Sequence, residues 1–363
     1  MGALRTTAVN TVHVVVPGGI DDPARPSGGN VYDRRICNGL AALGWDVTEH
    51  KVDGGWPWPD ADAHRALARV IADMPDGTVV VIDGLIASTV PEVLVPHVHR
   101  LVWVVLVHLP LGQGSPGHEV DDARSRECAV LAAAAAVITT SEWARGLLLD
   151  LYPLRPENVV VAEPGVDPAE LAPGTADGGQ LLCVAAVMPH KGHDVLLAAL
   201  AAVPDLSWRC VLVGTLDRDP DFADLLQCRA HDAGIGDRIS FAGVRTGAEL
   251  DRAYAAADLL VVPSLGETYG MVLTEALARG LPVIATAVGG LPDALGRTAD
   301  GHRPGLLVAP GDAPALAAAL SSWLRDAELR LGLRLAAQER RGTLSDWTAT
   351  VERVALILTD AAL

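Results

Sequence analysis

Short runs of four to seven Val, Ile and Leu residues alternate with Ala- and Leu-rich helical stretches from one end of this chain to the other. Apolar runs without polar alternation mark strands buried on both faces. Strand–helix alternation then gives parallel sheets joined by right-handed crossovers. In the first half the spacing predicts strands at Val12–Val16, Val79–Ile82, Leu101–Val107, Val137–Thr139 and Val159–Ala162. Helices are expected between them at Gly29–Leu43, Ala63–Asp73, Ala123–Ala135 and Glu142–Asp150.

Pro168 to Gln180 (PAELAPGTADGGQ) breaks this rhythm with Pro, Gly and small polar residues and reads as an interdomain linker. The alternation then restarts, with strands at Leu181–Val187, Cys210–Val213, Ile239–Ala242, Leu259–Val262, Val283–Ala285 and Leu306–Val308. Helices follow at His193–Ala202, Phe222–Ala233, Gly247–Ala256, Gly270–Arg279, Ala313–Leu324 and Asp326–Arg340, and a last one from Leu344 to about Thr359. A chain of 363 residues suits two doubly wound α/β domains. The boundaries expected are 1–170, 171–343 and a closing segment 344–363. In such sheets ligands bind at the carboxyl ends of the strands.

The formal net charge of −17, with no run of Lys or Arg, argues against nucleic acid or an anionic membrane as partner. Five widely spaced cysteines without a C-x-x-C pair read as reduced thiols, which points to the cytoplasm. No run approaches the ~18 apolar residues of a membrane span. Met1–Thr6 matches a myristoylation pattern, too short to outweigh chance.

Leu259 to Gly290 carries the most chemistry. A buried strand ends at Pro263, a short loop holds Glu267, and a helix begins near Gly270 with Glu275 inside it. Backbone N–H groups of Thr268, Tyr269, Gly270 and Met271 at a helix start suit a diphosphate. Glycine lets a phosphate approach the backbone. A carboxylate such as Glu275 can accept from both hydroxyls of a ribose, and Glu267 could hold hydroxyls of a sugar.

The segment PSLGETYGMVLTEALARGLPV, Pro263 to Val283, resembles the retaining glycosyltransferase family four (glycosyl transferases group 1), whose pattern sets two glutamates apart by seven residues. The resemblance implies the GT-B fold, two Rossmann-like domains facing one another across a cleft. It implies an acceptor-binding first domain, a nucleotide-sugar-binding second domain, and a last helix, after Trp347, that returns to the first. It assigns Glu267 and Glu275 to the donor, with Lys191-Gly192 on its diphosphate. Gly243 and Val244, after a strand, together with Gly214, are expected to contact the base through their backbone. In the first domain it implies a phosphate-approaching loop at Gly28-Gly29 and a sugar-contacting His108 at a strand end. Gly18-Gly19 competes for the loop's role, but the sequence after Gly29 matches the family's first helix and second strand. Ser141–Trp143 and Glu163–Asp167 match loops that rim the cleft.

One departure stands out. Ala185-Ala186 occupies the place where the family usually carries Gly-Arg. A charge-assisted hydrogen bond is worth about 1.5–3 kcal/mol, so its loss could cost roughly ten- to a hundredfold. His190, or an arginine of the other domain, is the candidate replacement.

Three other matches are set aside. Gly112–Gly117 satisfies G-x-G-x-x-G but lacks the acid ending a following strand. Asp217–Asp221 mimics a D-x-D metal loop, yet no His/Cys cluster accompanies it. Trp56-Pro57-Trp58 could contact an acceptor or anchor its own loop. The expectation is a retaining, metal-independent transfer of a hexose-type sugar, with no cofactor, from a UDP-, GDP- or ADP-sugar to a small soluble acceptor. His108, Lys191 and Glu267 are the expected catalytic residues. The alternatives are a degenerate nucleotide-sugar-binding relative and a glycoside hydrolase using Glu267 and Glu275.

Overall fold

The computed structural model describes residues 10–113 and 118–363; the Met1–Thr6 pattern and Gly114–Gly117 lie outside them. Two parallel six-stranded sheets are formed. The first contains β1 (Thr11–Pro17), β2 (Asp46–Val52), β3 (Val79–Asp83), β4 (Val102–Val107), β5 (Ala136–Thr139) and β6 (Val159–Val161), in the order β2-β1-β3-β4-β5-β6. The second contains β7 (Gln180–Val184), β8 (Arg209–Val213), β9 (Ile239–Phe241), β10 (Leu259–Val262), β11 (Val283–Thr286) and β12 (Gly305–Val308), in the order β12-β11-β10-β7-β8-β9. Both are doubly wound, as the alternation predicts, and together they form the GT-B fold class.

The Val-rich runs behave as buried strands should. Every residue of β3, β5, β10 and β11 is buried. The strand missing from the periodicity reading is β2, DVTEHKV. It lies at the sheet edge, pairs only with β1, and buries only Val52 fully. An edge strand with one wet face has no need of an apolar run.

The chain divides into two compact units. The first comprises the residues to Asp22, Pro26–Gly165 and Trp347–Leu363; the second comprises Pro23–Arg25 and Val166–Asp346. The first boundary therefore falls before residue 170. Val166 N–H donates to the Ser345 carbonyl (3.0 Å) and Ala172 N–H to that of Arg279 (2.9 Å), which ties 166–172 to the second unit. The stretch expected as a linker is anchored too. The carboxylate of fully buried Asp258 accepts from the Thr175 hydroxyl (2.5 Å), Gln180 N–H (2.9 Å) and Arg334 (2.8 Å). Its composition signalled a break in the strand–helix rhythm, not slack chain.

Within the first unit, helix Gly28–Ala42 is capped by Ser27, whose hydroxyl accepts from Asn30 N–H at 3.1 Å. Helix Trp347–Ala361 packs across it. A Cβ on Gly39 would sit 2.3 Å from Val351 Cγ2, so glycine sets how near the two helices come. The Thr350 hydroxyl donates to the Glu163 carbonyl (2.8 Å), and the Tyr32 hydroxyl to that of Ala162 (2.9 Å). Among the described residues no helix is long and apolar enough to cross a membrane. All five cysteines are free thiols, and burial pushes that of Cys183 up to about 12.

Candidate functional site

The second sheet reverses its winding between β7 and β10, and α/β sheets bind ligands at such switch points, beyond the strands' carboxyl ends. β7 leads into the turn Pro189–Lys191 and β10 into the loop holding Glu267. Lys191 Nζ donates to Glu267 Oε1 at 2.7 Å, and Ser264 Oγ donates to the same oxygen at 3.0 Å. The loops are locked together behind the pair. Leu265 N–H donates to the His190 carbonyl (2.8 Å), and Gly192, in the left-handed region at φ +69°, leaves no room for a Cβ beside the Pro263 carbonyl. Both side chains retain some exposure, 21% for Lys191 and 16% for Glu267, so a ligand can reach them.

Helix Met271–Ala278 begins after Gly270, whose φ of +95° is poorly accessible to other residues. No side chain caps this helix, which leaves its first N–H groups for an anion. A Cβ on Gly270 would also collide with Leu291 Cδ2 at 2.4 Å. Gly289 and Gly290 close the floor of the Glu267 loop. Gly290 N–H donates to the Glu267 carbonyl (3.0 Å), and a Cβ on Gly289 would fall 1.7 Å from that oxygen.

Glu275 belongs to a separate cluster. Its Oε2 accepts from the buried Tyr254 hydroxyl at 2.7 Å. Arg279 lies over the Tyr254 ring (4.6 Å), donates to the Glu275 carbonyl (2.8 Å) and pairs with Asp251. Burial raises the Glu275 carboxyl above its ordinary range, opposed by the Tyr254 hydrogen bond and the Arg279 charge. Gly243, at φ +66°, accepts through its carbonyl from Gly214 N–H (2.9 Å); Val244 is half-buried. Thr268, Tyr269 and Met271 are likewise half-buried.

Ala186 follows β7 and puts a methyl where the resemblance places a guanidinium. His190 does not replace the missing cation. Burial and the neighbouring Lys191 charge hold its imidazole below the ordinary range, so it is neutral at pH 7.

The remaining expected residues form a cluster in the first unit. Its sheet reverses between β1 and β3, and His108 follows β4. His108 Nε2 donates to Asp33 Oδ1 at 2.7 Å, and Asp83 at the end of β3 completes the group. A Cβ on Gly29 would lie 3.1 Å from His108 Cδ2, so this glycine backs onto the imidazole. Gly28 is the first residue of that helix. The Tyr32 ring meets His108 edge-on, with centroids 5.4 Å apart, and Trp347 at 5.7 Å. Ligand-type atoms of Asp33, Asp83 and His108 lie within 4.8 Å of one another. His108 Nε2 and Asp33 Oδ1 are engaged by each other.

The sequence reading missed Asp33, Asp83, Ser264 and Tyr254. Asp33 stands beside Arg34 and Arg35 and looks like a solvated helix face, and Asp83-Gly84 looks like a turn. Trp56 anchors its own loop, donating from Nε1 to the Val52 carbonyl (3.1 Å), while Trp58 is exposed. Gly112 is built into the scaffold: its N–H donates to buried Glu127 (2.9 Å) and its Cβ position lies against the Tyr152 hydroxyl. A cavity of about 510 Å³ lies at the opposite, amino ends of β7 and β8. Its Arg238 is already spent on the carbonyls of Pro204 (2.8 Å) and Trp208 (3.1 Å) and on the Trp208 ring.

Residues 175–340 match the family model described as glycosyl transferases group 1. The chain is 34% identical over 279 residues to a D-inositol 3-phosphate glycosyltransferase of Stackebrandtia nassauensis, covering 71% of this chain and 61% of that protein. It is 32% identical over 302 residues to D-inositol 3-phosphate glycosyltransferase 1 of Catenulispora acidiphila, covering 77% and 69%. Among other curated relatives it spans little more than half their length, 54% and 56% in the two from Corynebacterium. Of solved structures, sucrose-phosphate synthase from Thermosynechococcus elongatus superposes with a TM-score of 0.78 at 24% identity, covering 97% of this chain and 98% of that one. Anabaena HepE, solved with UDP-glucose, gives 0.75 at 18% identity, covering 96% and 99%. The loop-and-helix motif around Glu267 and Glu275 thus sits inside a match that extends well beyond it, and the chain belongs to the glycosyl transferases group 1 family.

Proposed function

We propose that the chain is a retaining glycosyltransferase that moves a hexose-type sugar from a nucleoside diphosphate sugar to a small, soluble acceptor. The observation that carries this reading is the Lys191–Glu267 pair at the switch point of the second sheet, beside the uncapped helix start after Gly270. Lys191 and the helix N–H groups stabilise charge growing on the departing diphosphate. Glu267 and His108 orient the transferred sugar, Glu275 accepts from the ribose hydroxyls, and the Gly243–Val244 backbone lies against the base. The acceptor oxygen attacks the anomeric carbon on the face the diphosphate leaves. The C–O bond to the leaving phosphate breaks as the new glycosidic bond forms, and the acceptor proton passes to the departing phosphate oxygen. No metal is required on this reading, because Lys191 and the helix N–H groups carry that charge.

D-Inositol 3-phosphate, the acceptor in the relatives' names, is the first acceptor to try, and UDP-glucose, the HepE ligand, the first donor. The five free thiols agree with a cytoplasmic setting. A thermal-shift screen with UDP-, GDP- and ADP-sugars and the free diphosphates tests the donor half, since a ligand of the native state raises the melting temperature. Radiolabel transfer to inositol phosphates tests the rest. A second reading, a relative that binds nucleotide-sugar without turnover, draws on Ala186. Donor binding without transfer to any acceptor would favour it.

A further inference from the structure

His108 has two carboxylates for neighbours where an ordering contact needs only one. Asp33 is 2% exposed and Asp83 5%, and both belong to elements that cannot swing away: helix Gly28–Ala42 and the end of β3. Asp33 Oδ1 accepts from His108 Nε2–H, and no other side chain or backbone N–H reaches Asp33 Oδ2. Asp83 Oδ1 accepts from Leu85 N–H at 2.7 Å, and its carboxyl also meets that of Asp33. Burial and the neighbouring Asp33 oppose ionisation of Asp83, because two carboxylates side by side repel in a medium of low polarity. Gly29 and the Tyr32 ring pin the imidazole from its remaining sides.

We propose that the Asp33–Asp83 pair fixes the protonation state of His108: Asp33 accepts from Nε2–H, and the pair's negative charge keeps the ring an imidazolium, so that Nδ1 also carries a proton and can donate. The proposal rests on the reading of His108 as a sugar-orienting residue. A neutral ring with its proton on Nε2 would show a lone pair at Nδ1 and could only accept. Asp33 and Asp83 act through His108 and are positioning residues. The charged groups facing the ring are Asp33 from the helix and Asp83 from β3; Tyr32, buried on the same helix, stays un-ionised. Their attraction outweighs burial and lifts the His108 midpoint to about 9, while burial and Asp33 push the Asp83 carboxyl up to about 7.

The test is an NMR titration of the full chain with ¹⁵N-labelled histidine between pH 5 and 10, with His108→Gln identifying the His108 signals among the eleven histidines. The expected result is a cationic His108 at pH 7, with a midpoint near 9 that Asp33→Asn lowers by more than one unit and Asp83→Asn lowers less. A neutral His108 at pH 7 in the unsubstituted protein overturns the proposal, as does a midpoint that Asp33→Asn leaves in place. Should Asp33→Asn not fold, the unsubstituted titration alone still decides. A shift of the same signals by micromolar Zn²⁺ or Mn²⁺ would also overturn it, in favour of metal binding. A cationic His108 in a protein whose melting temperature no nucleotide-sugar moves would uphold the charge assignment while sinking the transferase reading.

Discussion

The two units hold their cations differently. In the second, Lys191 meets one loop carboxylate, Glu267, which also accepts from the Ser264 hydroxyl, and both charges are partly exposed. In the first, His108 meets two buried carboxylates rooted in a helix and a strand. The Lys191–Glu267 pair keeps some exposure on both partners, 21% and 16%, and is available to re-pair with a ligand's phosphate. His108 is about as exposed as Lys191, but its acids are buried, and a titratable ring held by buried carboxylates stores a protonation state instead.

The sharpest way to break this comparison is to remove Lys191. Lys191→Ala should lower the transfer rate about a hundred- to a thousandfold, the usual cost of losing a preorganised charge donor, and leave the apo melting temperature within a few degrees. Initial rates with the donor found by thermal shift check it. A wild-type rate would remove Lys191 from the mechanism. Next in size is Ala186→Arg, which restores the missing guanidinium. Donor affinity or rate should rise roughly tenfold or more, the value of one charge-assisted hydrogen bond. No gain would mean that the space beyond β7 is organised for something other than a second cation.

pH sharpens the comparison from the other side. His108 is raised to about 9, so its contribution to stability is fully present below the ordinary histidine value and is lost as pH climbs through about 9. Asp83 is raised to about 7, so the folded state pays for its ionisation over the interval from the ordinary carboxylate range up to about 7. Melting temperature should therefore sag on two separate limbs. Asp83→Asn should flatten the lower limb, and His108→Gln the upper. Lys191→Ala, by contrast, should leave both limbs alone. Calorimetric melting curves at half-unit pH steps separate these outcomes.

The same contrast explains what was legible in the sequence. Backbone rules wrote the Glu267 side of the second site into consecutive residues, while Lys191 comes from the turn after β7. A strand that must end, a glycine at φ +95° and an uncapped helix start all lie between Pro263 and Met271, so one window displays them. The first site is assembled from Asp33, Asp83 and His108, whose sequence separations are set by the fold and not by any local geometry. Only the β1–β3–β4 order, invisible to periodicity, brings the three together. Asp33 was further hidden by its context, because an acid next to two arginines on a helix normally faces water. The buried phase of helix Gly28–Ala42 includes Tyr32, Asp33, Ile36, Cys37 and Leu40, and an acid in that series was the one available signal. The edge strand β2 escaped for the opposite reason, being too polar to announce itself.

Glu275 gives the smallest expected effect and tests whether the second unit contains a buried site of the first unit's kind. Its carboxyl is raised, as that of Asp83 is, but the residue is only half-buried and its supports are neutral or remote: the Tyr254 hydroxyl on Oε2, and an arginine that reaches the Glu275 backbone rather than its side chain. If Glu275 serves only as a hydrogen-bond acceptor for two ribose hydroxyls, Glu275→Gln keeps one acceptor oxygen and trades the other for an amide donor. The loss is then about one hydrogen bond, about 0.5–1.5 kcal/mol, or roughly two- to tenfold in nucleoside diphosphate affinity by calorimetry. The apo melting temperature should hold or rise, because removing a buried charge relieves the burial penalty. A loss of hundredfold or more would instead mean that the charge itself matters, and that Glu275, like Asp33, works by fixing the state of a neighbour.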